Sequence, residues 1–203
     1  MPLLTHAAPG LVSKWFNPKI PLWASLLSVY LLDILIYIPI IIYMTFGGLD
    51  YNQASRLAVP TTHSLFMAVI LSVISALVTV IITHYRNVNK KENKNKALIN
   101  RNFRTGLYIG ILVFSHWMVD FIGWPMTVGD PEATGVPLFF DMTQTIGLGV
   151  GRTWIGGITM EVGSFIVGLV IYILYLRKHK KEKILNENKL SSKELEMEFQ
   201  HIK

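Results

Sequence analysis

The sequence has no cysteine among its 203 residues. Disulfide frameworks, zinc ribbons, thiol catalysis and iron–sulfur clusters are thereby excluded. Charge is scarce as well. Asp, Glu, Lys and Arg make up 16% of the chain, against roughly a quarter in soluble domains. The first twenty residues lack the basic start and the long apolar run of a secretory signal peptide. The Lys/Asn-rich stretch 87–102 has no aromatic residue on which a base would stack. That argues against nucleic-acid binding, despite a formal charge of +6 and a pI near 9.5. Gly147, Gly149 and Gly151 have no βαβ context, so they are not a dinucleotide fingerprint.

What fills the chain instead is apolar length. Apolar residues make up 51% of the sequence, and mean hydropathy is +0.41. Four runs reach the roughly 20 residues a transmembrane helix needs. They cover 21–46, 60–83, 105–125 and 153–176. A soluble helix would show a polar face, and these runs are apolar nearly all round. The expectation is an all-α polytopic membrane protein with four transmembrane helices. A membrane-embedded domain over 1–176 is expected, followed by a charged cytoplasmic tail over 177–203. In the tail, Ser191-Ser192-Lys193-Glu194 fits a capping box.

Of the 19 lysines and arginines, only Arg56 and Arg152 fall in the first and third loops. The rest lie before the first run, between the second and third, or in the tail. The positive-inside rule then puts both termini in the cytoplasm of a multi-pass cell (inner or plasma) membrane protein. Residues 5–16 have the length for a short helix of about 18 Å. Its placements are re-entrant from the cytoplasmic side or flat on that surface. The third loop, 126–152, is long and rich in proline and glycine, with an apolar patch at 136–140. Such loops tend to be functional lids, and this one is expected to fold back on the outer face.

Five ionisable residues stand at membrane depth: Asp33, His63, His116, Asp120 and Glu161. Each costs several kcal/mol in a bilayer, by order of magnitude, unless paired. His–Asp hydrogen bonds between helices would account for one of them; five spread over all four runs point to a site. His116 and Asp120 are four apart, on one helix face, the spacing at which two side chains of one helix ligate one metal. Glu161 shares a face with Gly157, Ser164 and Gly168, small residues that let another helix approach. It reads either as a packed carboxylic acid or as a general base beside a metal. Asp33 is flanked by Tyr30 and Tyr37. Counted at 1.5 Å per residue from the outer ends, His63, Asp120, Glu161 and His116 lie about 5–13 Å down, and Asp33 about 20 Å. Asp33 is therefore the outlier. His84, His179 and His201 lie near basic ends and read as surface residues.

The order of motifs adds to this. It runs Thr5-His6, Leu32-Asp33, Thr62-His63-Ser64-Leu65, then Ser115-His116-Trp117-Met118-Val119-Asp120, then Gly135-Val136-Pro137-Leu138, then a run carrying Glu161. Over roughly residues 3–170 this resembles the family of small bacterial and archaeal membrane-bound metal-dependent hydrolases. It is also similar to the LexA-regulated inner-membrane hydrolase-like family. The resemblance implies that His6, Asp33, His63, His116 and Asp120 occupy the polar positions of the site, and that Glu161 matches an acidic position in the last span. Some relatives carry a histidine four residues after the motif aspartate, where this chain has Trp124, and a Trp-Asn-Ser where it has Gly151-Arg152-Thr153.

The expected activity is metal-dependent hydrolysis of a lipid-like or membrane-proximal ester, amide or phosphate. His63, His116 and Asp120 would be the ligands, Asp33 and His6 further ligands or their orienters, and Glu161 or Asp120 the general base. Zinc suits the donor set, and manganese and iron are compatible with it. Two other readings stand beside it. A small ion- or proton-coupled transporter needs a polar path to the cytoplasmic side, yet the inner halves of the second and fourth runs carry no acid or base. A non-catalytic membrane scaffold would tolerate alanine at each of these positions.

Overall fold

The computed structural model describes residues 3–89, 96–123, 135–140 and 144–201. Lys90, Lys91 and Lys94 of the basic linker, Trp124 and most of the first half of the third loop lie outside the described residues. Eight α-helices carry the described chain: α1 Leu3–Phe16, α2 Leu22–Val29, α3 Leu31–Gly47, α4 Tyr51–His63, α5 Leu65–Asn89, α6 Lys96–Gly123, α7 Trp154–Ile158 and α8 Ser164–His201. The strands β1 Val136–Pro137 and β2 Thr145–Ile146 form a minimal antiparallel hairpin.

Three continuous helical stretches are long and apolar enough to cross a membrane: Leu65–Arg86, Ile99–Gly123 and Trp154–Lys189. The pair α2–α3 makes a fourth when taken as one span, bent by 48°. The spanning window of α6 is 50% buried, against 11% and 6% for the other two. The α6 helix is therefore the centre of the bundle, and α5 and α8 turn most of their apolar surface outward. Gly106 and Gly110 let α5 lie directly on α6. A Cβ at either would come 2.5 Å and 2.9 Å from the carbonyl oxygens of Ala76 and Ser72.

The runs seen in the sequence are right in place, and the first two are broken within their bounds. The first breaks at Tyr30 (φ −94°, ψ 2°). Just before the break, Ser28 Oγ donates to the Ala24 carbonyl at 2.7 Å, a back-bond that tends to bend helices. The second breaks at Ser64, which is extended (φ −67°, ψ 151°). Ser64 Oγ accepts from Met67 N–H at 3.2 Å and caps the start of α5. Residues 60–63 therefore belong to α4, not to the second span. The α4 helix opens on a capping box between Asp50 and Gln53 and runs back along α3. Ile36 and Ile40 pack on Ala54, Ala58 and Val59 there.

In the tail, α8 is one helix from Ser164 to His201. No helix starts at the expected capping box; Ser192 Oγ donates to the Lys189 carbonyl at 3.1 Å. At 1.5 Å per residue α8 is about 57 Å long, nearly twice a hydrocarbon core of about 30 Å.

The α1 helix does not lie flat on a surface. It is inserted against α2, α6 and α8, with Thr5, His6, Ala7, Leu11 and Ser13 buried. It runs parallel to α8: Leu4 meets Glu161, Ala8 meets Gly168, and Trp15 meets Lys178. A Cβ on Gly168 would sit 2.9 Å from Ala8 Cα. The small-residue face around Glu161 thus receives α1. At the far end Lys14 Nζ donates to the Pro18 and Ile20 carbonyls at 2.7 and 2.5 Å, anchoring the turn into α2.

Candidate metal centre

Four of the five residues expected at membrane depth, together with His6, come to one place. His6 arrives on α1, Asp33 on α3 just past the bend, His63 at the last position of α4, and His116 and Asp120 on α6. His6, His63, His116 and Asp120 are each 2% exposed or less, whereas the Asp33 side chain is 14% exposed.

Nitrogen and oxygen atoms converge tightly. His63 Nε2 lies 3.3 Å from His116 Nε2 and 3.3 Å from Asp33 Oδ1. His116 Nε2 lies 3.6 Å from Asp33 Oδ1 and 3.3 Å from Asp120 Oδ2. His63 Nε2 is 3.9 Å from Asp120 Oδ2. Ligands held tetrahedrally at about 2.0–2.2 Å from an ion stand roughly 3.3–3.6 Å from one another. The five distances fall on or close to that spacing. Asp120 turns its second oxygen, Oδ1, to His6 Nε2 at 3.2 Å. The His6 and His116 rings stack with centroids 3.9 Å apart.

Hydrogen-bond chemistry says what such a cluster needs. His116 Nδ1 lies 2.6 Å from the Val29 carbonyl. A carbonyl only accepts, so Nδ1 carries a proton; with the ring neutral, as a metal ligand must be, Nε2 would present a lone pair. His116 Nε2 faces His63 Nε2 and the carboxylates of Asp33 and Asp120, which only accept. Asp33 Oδ2 is buried and has no hydrogen-bond partner among the described residues. A surplus of converging acceptors at a buried point is the electrostatic signature of a cation site. Two groups, His6–His116–Asp120 and Asp33–His63–His116, each bring their ligand atoms within 4.8 Å of one another and are able to hold a metal ion. The hydrogen bond that His116 Nδ1–H donates to the Val29 carbonyl is the kind of outer contact that usually orients a metal-bound histidine. Thr62 Oγ1 at 2.7 Å from His63 Nδ1 gives the second ring a similar brace.

No known protein family, curated protein or solved structure matches the chain. What the site can do therefore rests on its own geometry.

Glu161 lies outside both His/Asp groups. It sits in a π-helical turn, Thr159–Gly163, between α7 and α8. Its Oε2 accepts from the backbone N–H groups of Leu4 and Thr5 at 3.0 and 3.1 Å and from Thr5 Oγ1 at 3.3 Å. Thr5 Oγ1 also donates to the Met160 carbonyl at 2.9 Å. The expected general base is thus engaged as the cap of α1, two residues before His6.

Asp33 was the outlier in depth and lies in the site all the same. The reason is the hairpin of α3 and α4. From Asp33 the chain climbs 14 residues to Gly47 and returns 13 residues from Asp50 to His63, each about 20 Å at 1.5 Å per residue. Depth counted from residue 46 had the wrong origin. The Val29 carbonyl, Thr62 and Thr5 were missed; only a broken helix or a partner helix gives them a role.

The described residues of the third loop pack on the helices that carry the site. Val136 is buried with Leu32, Ala68, Val113 and Trp117. The Phe66 N–H donates to the Leu138 carbonyl at 3.2 Å, and the Leu148 N–H to the Phe121 carbonyl at 2.8 Å. Gly135 (φ 101°) permits this approach, since a Cβ there would meet the Ile146 backbone at 2.9 Å. Beside Asp33 opens a cavity of about 850 Å³ walled by Trp23, Leu27, Tyr30, Ile34, Tyr37 and Tyr51.

Proposed function

We propose that the chain is an integral-membrane, metal-dependent hydrolase of the resembled family, with a lipid-like substrate that carries an ester, amide or phosphate. The observation that carries this reading is the buried convergence of His63, His116, Asp33 and Asp120, with ligand-type atoms 3.3–3.9 Å apart in five of the pairs. Zinc is the metal this N/O set suits best. When bound, such an ion supplies Lewis acidity toward a carbonyl or phosphoryl oxygen and makes a water more acidic.

The chain's own residues do the rest. His116 is held in one tautomer by Val29, and Asp33 links the centre to the apolar cavity on its α2–α3 side. Trp23, Leu27, Ile34, Tyr37 and Tyr51 are all about half or more exposed, so the cavity opens sideways. An acyl chain could enter from the bilayer there and leave its polar linkage at Asp33. His6 Nε2 and Asp120 Oδ1, 3.2 Å apart, form a pair that holds a proton at the edge of the site. In this reading Glu161 is a positioning residue, because its carboxylate secures the end of α1 that carries His6. The Lys/Arg asymmetry supports an orientation with the C-terminus and the basic ends of the helices on the cytoplasmic side of a cell membrane; the start of α1, beside Glu161 and away from Lys14, then lies at the opposite end rather than in the cytoplasm as the sequence led us to expect.

The test is turnover by full-length protein in lipid nanodiscs. Metal-stripped and zinc-reloaded samples would be offered a panel of lipid esters, amides and phosphates beside short-chain analogues. Hydrolysis of a lipid substrate that returns only with metal is expected. Metal-loaded protein that hydrolyses nothing on the panel would refute the hydrolase reading.

A further inference from the structure

The cavity beside Asp33 has a direction across the bilayer, and that direction selects the leaflet that supplies its occupant. Among the described residues, Asp33 is the only charged group in its wall and the only member of the His/Asp cluster there. Toward the basic end the wall runs through Leu27 and Leu26 to Trp23, four residues after Lys19. Trp23 is ten positions from Asp33, about 15 Å along α2 and α3 at 1.5 Å per residue. Away from the basic end the wall runs through Ile34 to Tyr37, and to Tyr51 at the start of the returning α4. The far part thus carries phenol hydroxyls, and the stretch along Leu26 and Leu27 offers hydrocarbon alone. The described residues of the third loop pack on Leu32, Phe66 and Phe121, none of which lines the cavity. The α6 helix measures the depth of the centre. Its last cation is Arg104, and His116 and Asp120 follow 12 and 16 residues on, about 18 and 24 Å further along the helix. The midplane of a hydrocarbon core of about 30 Å lies at about 15 Å, so the centre stands in the half away from the basic ends.

We infer that the substrate is a lipid of the leaflet opposite the basic ends, with its acyl chain along Leu27 and Leu26 toward Trp23, its cleaved linkage at Asp33 and its headgroup toward Tyr37 and Tyr51. This rests on the hydrolase reading and adds to it the source and the direction of the substrate. With the basic ends in the cytoplasm, the source is the outer leaflet. Three features single out this occupant. A lipid of that leaflet carries its chain from the linkage toward the midplane and beyond, which is the direction from Asp33 to Leu27. Tyrosine rings suit the headgroup level, where one end is apolar and the other wet. A lipid of the basic leaflet in the same groove would lay its headgroup at Trp23 and the methyl end of its chain at Asp33. The only charged group of the wall would then face hydrocarbon, which is costly, and no cleavable bond would reach the centre.

The experiment is photo-crosslinking of full-length protein in nanodiscs, read by peptide mass spectrometry. The probes are phosphatidylethanolamines with a diazirine either at the methyl end of an acyl chain or on the headgroup. The chain-end probe should label residues 23–27 severalfold more than residues 73–78 of α5. That control stretch lies beside Gly106 of α6, and Val73, Ile74, Leu77 and Val78 are as open to lipid. The headgroup probe should label Tyr37 and Tyr51 and spare residues 23–27. Leu27→Trp fills the groove at a half-exposed position, so it should lower chain-end labelling of residues 23–26 severalfold and leave that of residues 73–78 unchanged. Equal labelling of the two stretches, unaffected by Leu27→Trp, means boundary lipid only and would overturn the site. Headgroup labelling at Trp23 with chain-end labelling at Tyr37 would overturn the direction. Crosslinks from residues 23–37 to a second copy of the chain, in place of lipid, would overturn the occupant. Metal-dependent hydrolysis with reversed labelling sinks this inference and leaves the hydrolase reading standing. The expected labelling in protein that hydrolyses nothing supports the lipid site and sinks the hydrolase reading instead.

Discussion

Replacing Glu161 separates a cap from a catalytic base. The helix α1 begins at Leu3, so the N–H groups of Leu4 and Thr5 have no acceptor within the helix. Both are given to one carboxylate oxygen. A hydrogen bond to a charged group contributes about 1.5–3 kcal/mol net, so Glu161→Ala should loosen this end of α1 by about 3 kcal/mol, taking two bonds at the low end of that range. Glu161→Gln keeps an oxygen acceptor and loses the charge, and should cost about 1 kcal/mol. At 1.36 kcal/mol per factor of ten these become about 150-fold and about fivefold faster opening. The assay is hydrogen–deuterium exchange of the peptide that covers residues 3–8 in nanodiscs. The prediction is a large loss of protection in the alanine variant, a small one in the glutamine variant, and activity that falls in the same order. Unchanged protection in Glu161→Ala would refute the cap. So would a glutamine variant that is fully protected, fully metallated and inert, which would return Glu161 to the role of general base.

Other consequences are as specific. Gly168→Ala puts a Cβ 2.9 Å from Ala8 Cα and should cost about 1–3 kcal/mol as overpacking, seen as a lower melting temperature and as exposure of α1. Gly106→Ala sets a Cβ 2.5 Å from both the Ala76 carbonyl oxygen and Val80 Cγ2, a deeper overlap than the 2.9 Å backbone contact at Gly168, so the loss of thermal stability should be greater than at Gly168. Cysteines placed at Asn89 and Ala133 should label from opposite sides of the membrane, and labelling of both from outside would overturn the orientation.

The four apolar runs were legible because a bilayer imposes one length and one composition on any helix that crosses it. The pairing of His116 with Asp120 was legible too, since i,i+4 is a property of one helix. Breaks in the runs were harder to see. Tyr30 and Ser64 sit inside unbroken apolar stretches, and only the packed bundle shows that the Val29 carbonyl turns to His116 and that Ser64 caps α5. The position of Asp33 could not be counted from the sequence, because the α3–α4 hairpin rises beyond the site and returns to it. With its helix considered alone, Glu161 read equally as a packed carboxylic acid or as a general base. Its partner, the start of α1, is more than 150 residues away in the chain. His6 had no helical pattern to mark it, and only the motif order drew attention to it.

The central claim is that these converging side chains hold a metal ion, and metal stoichiometry of the purified full-length protein tests it most directly. Elemental analysis after exchange into metal-free buffer, with wild type beside His116→Ala and Asp120→Asn, should find about one divalent ion per wild-type chain, on the expectation of one near-tetrahedral set of ligands. Either variant loses a ligand whose neighbours stand 3.3 Å away and should retain less than a tenth of the metal. Wild-type protein without metal, after growth and refolding-free purification in zinc-supplemented medium, or variants that bind as much as wild type, would contradict the account.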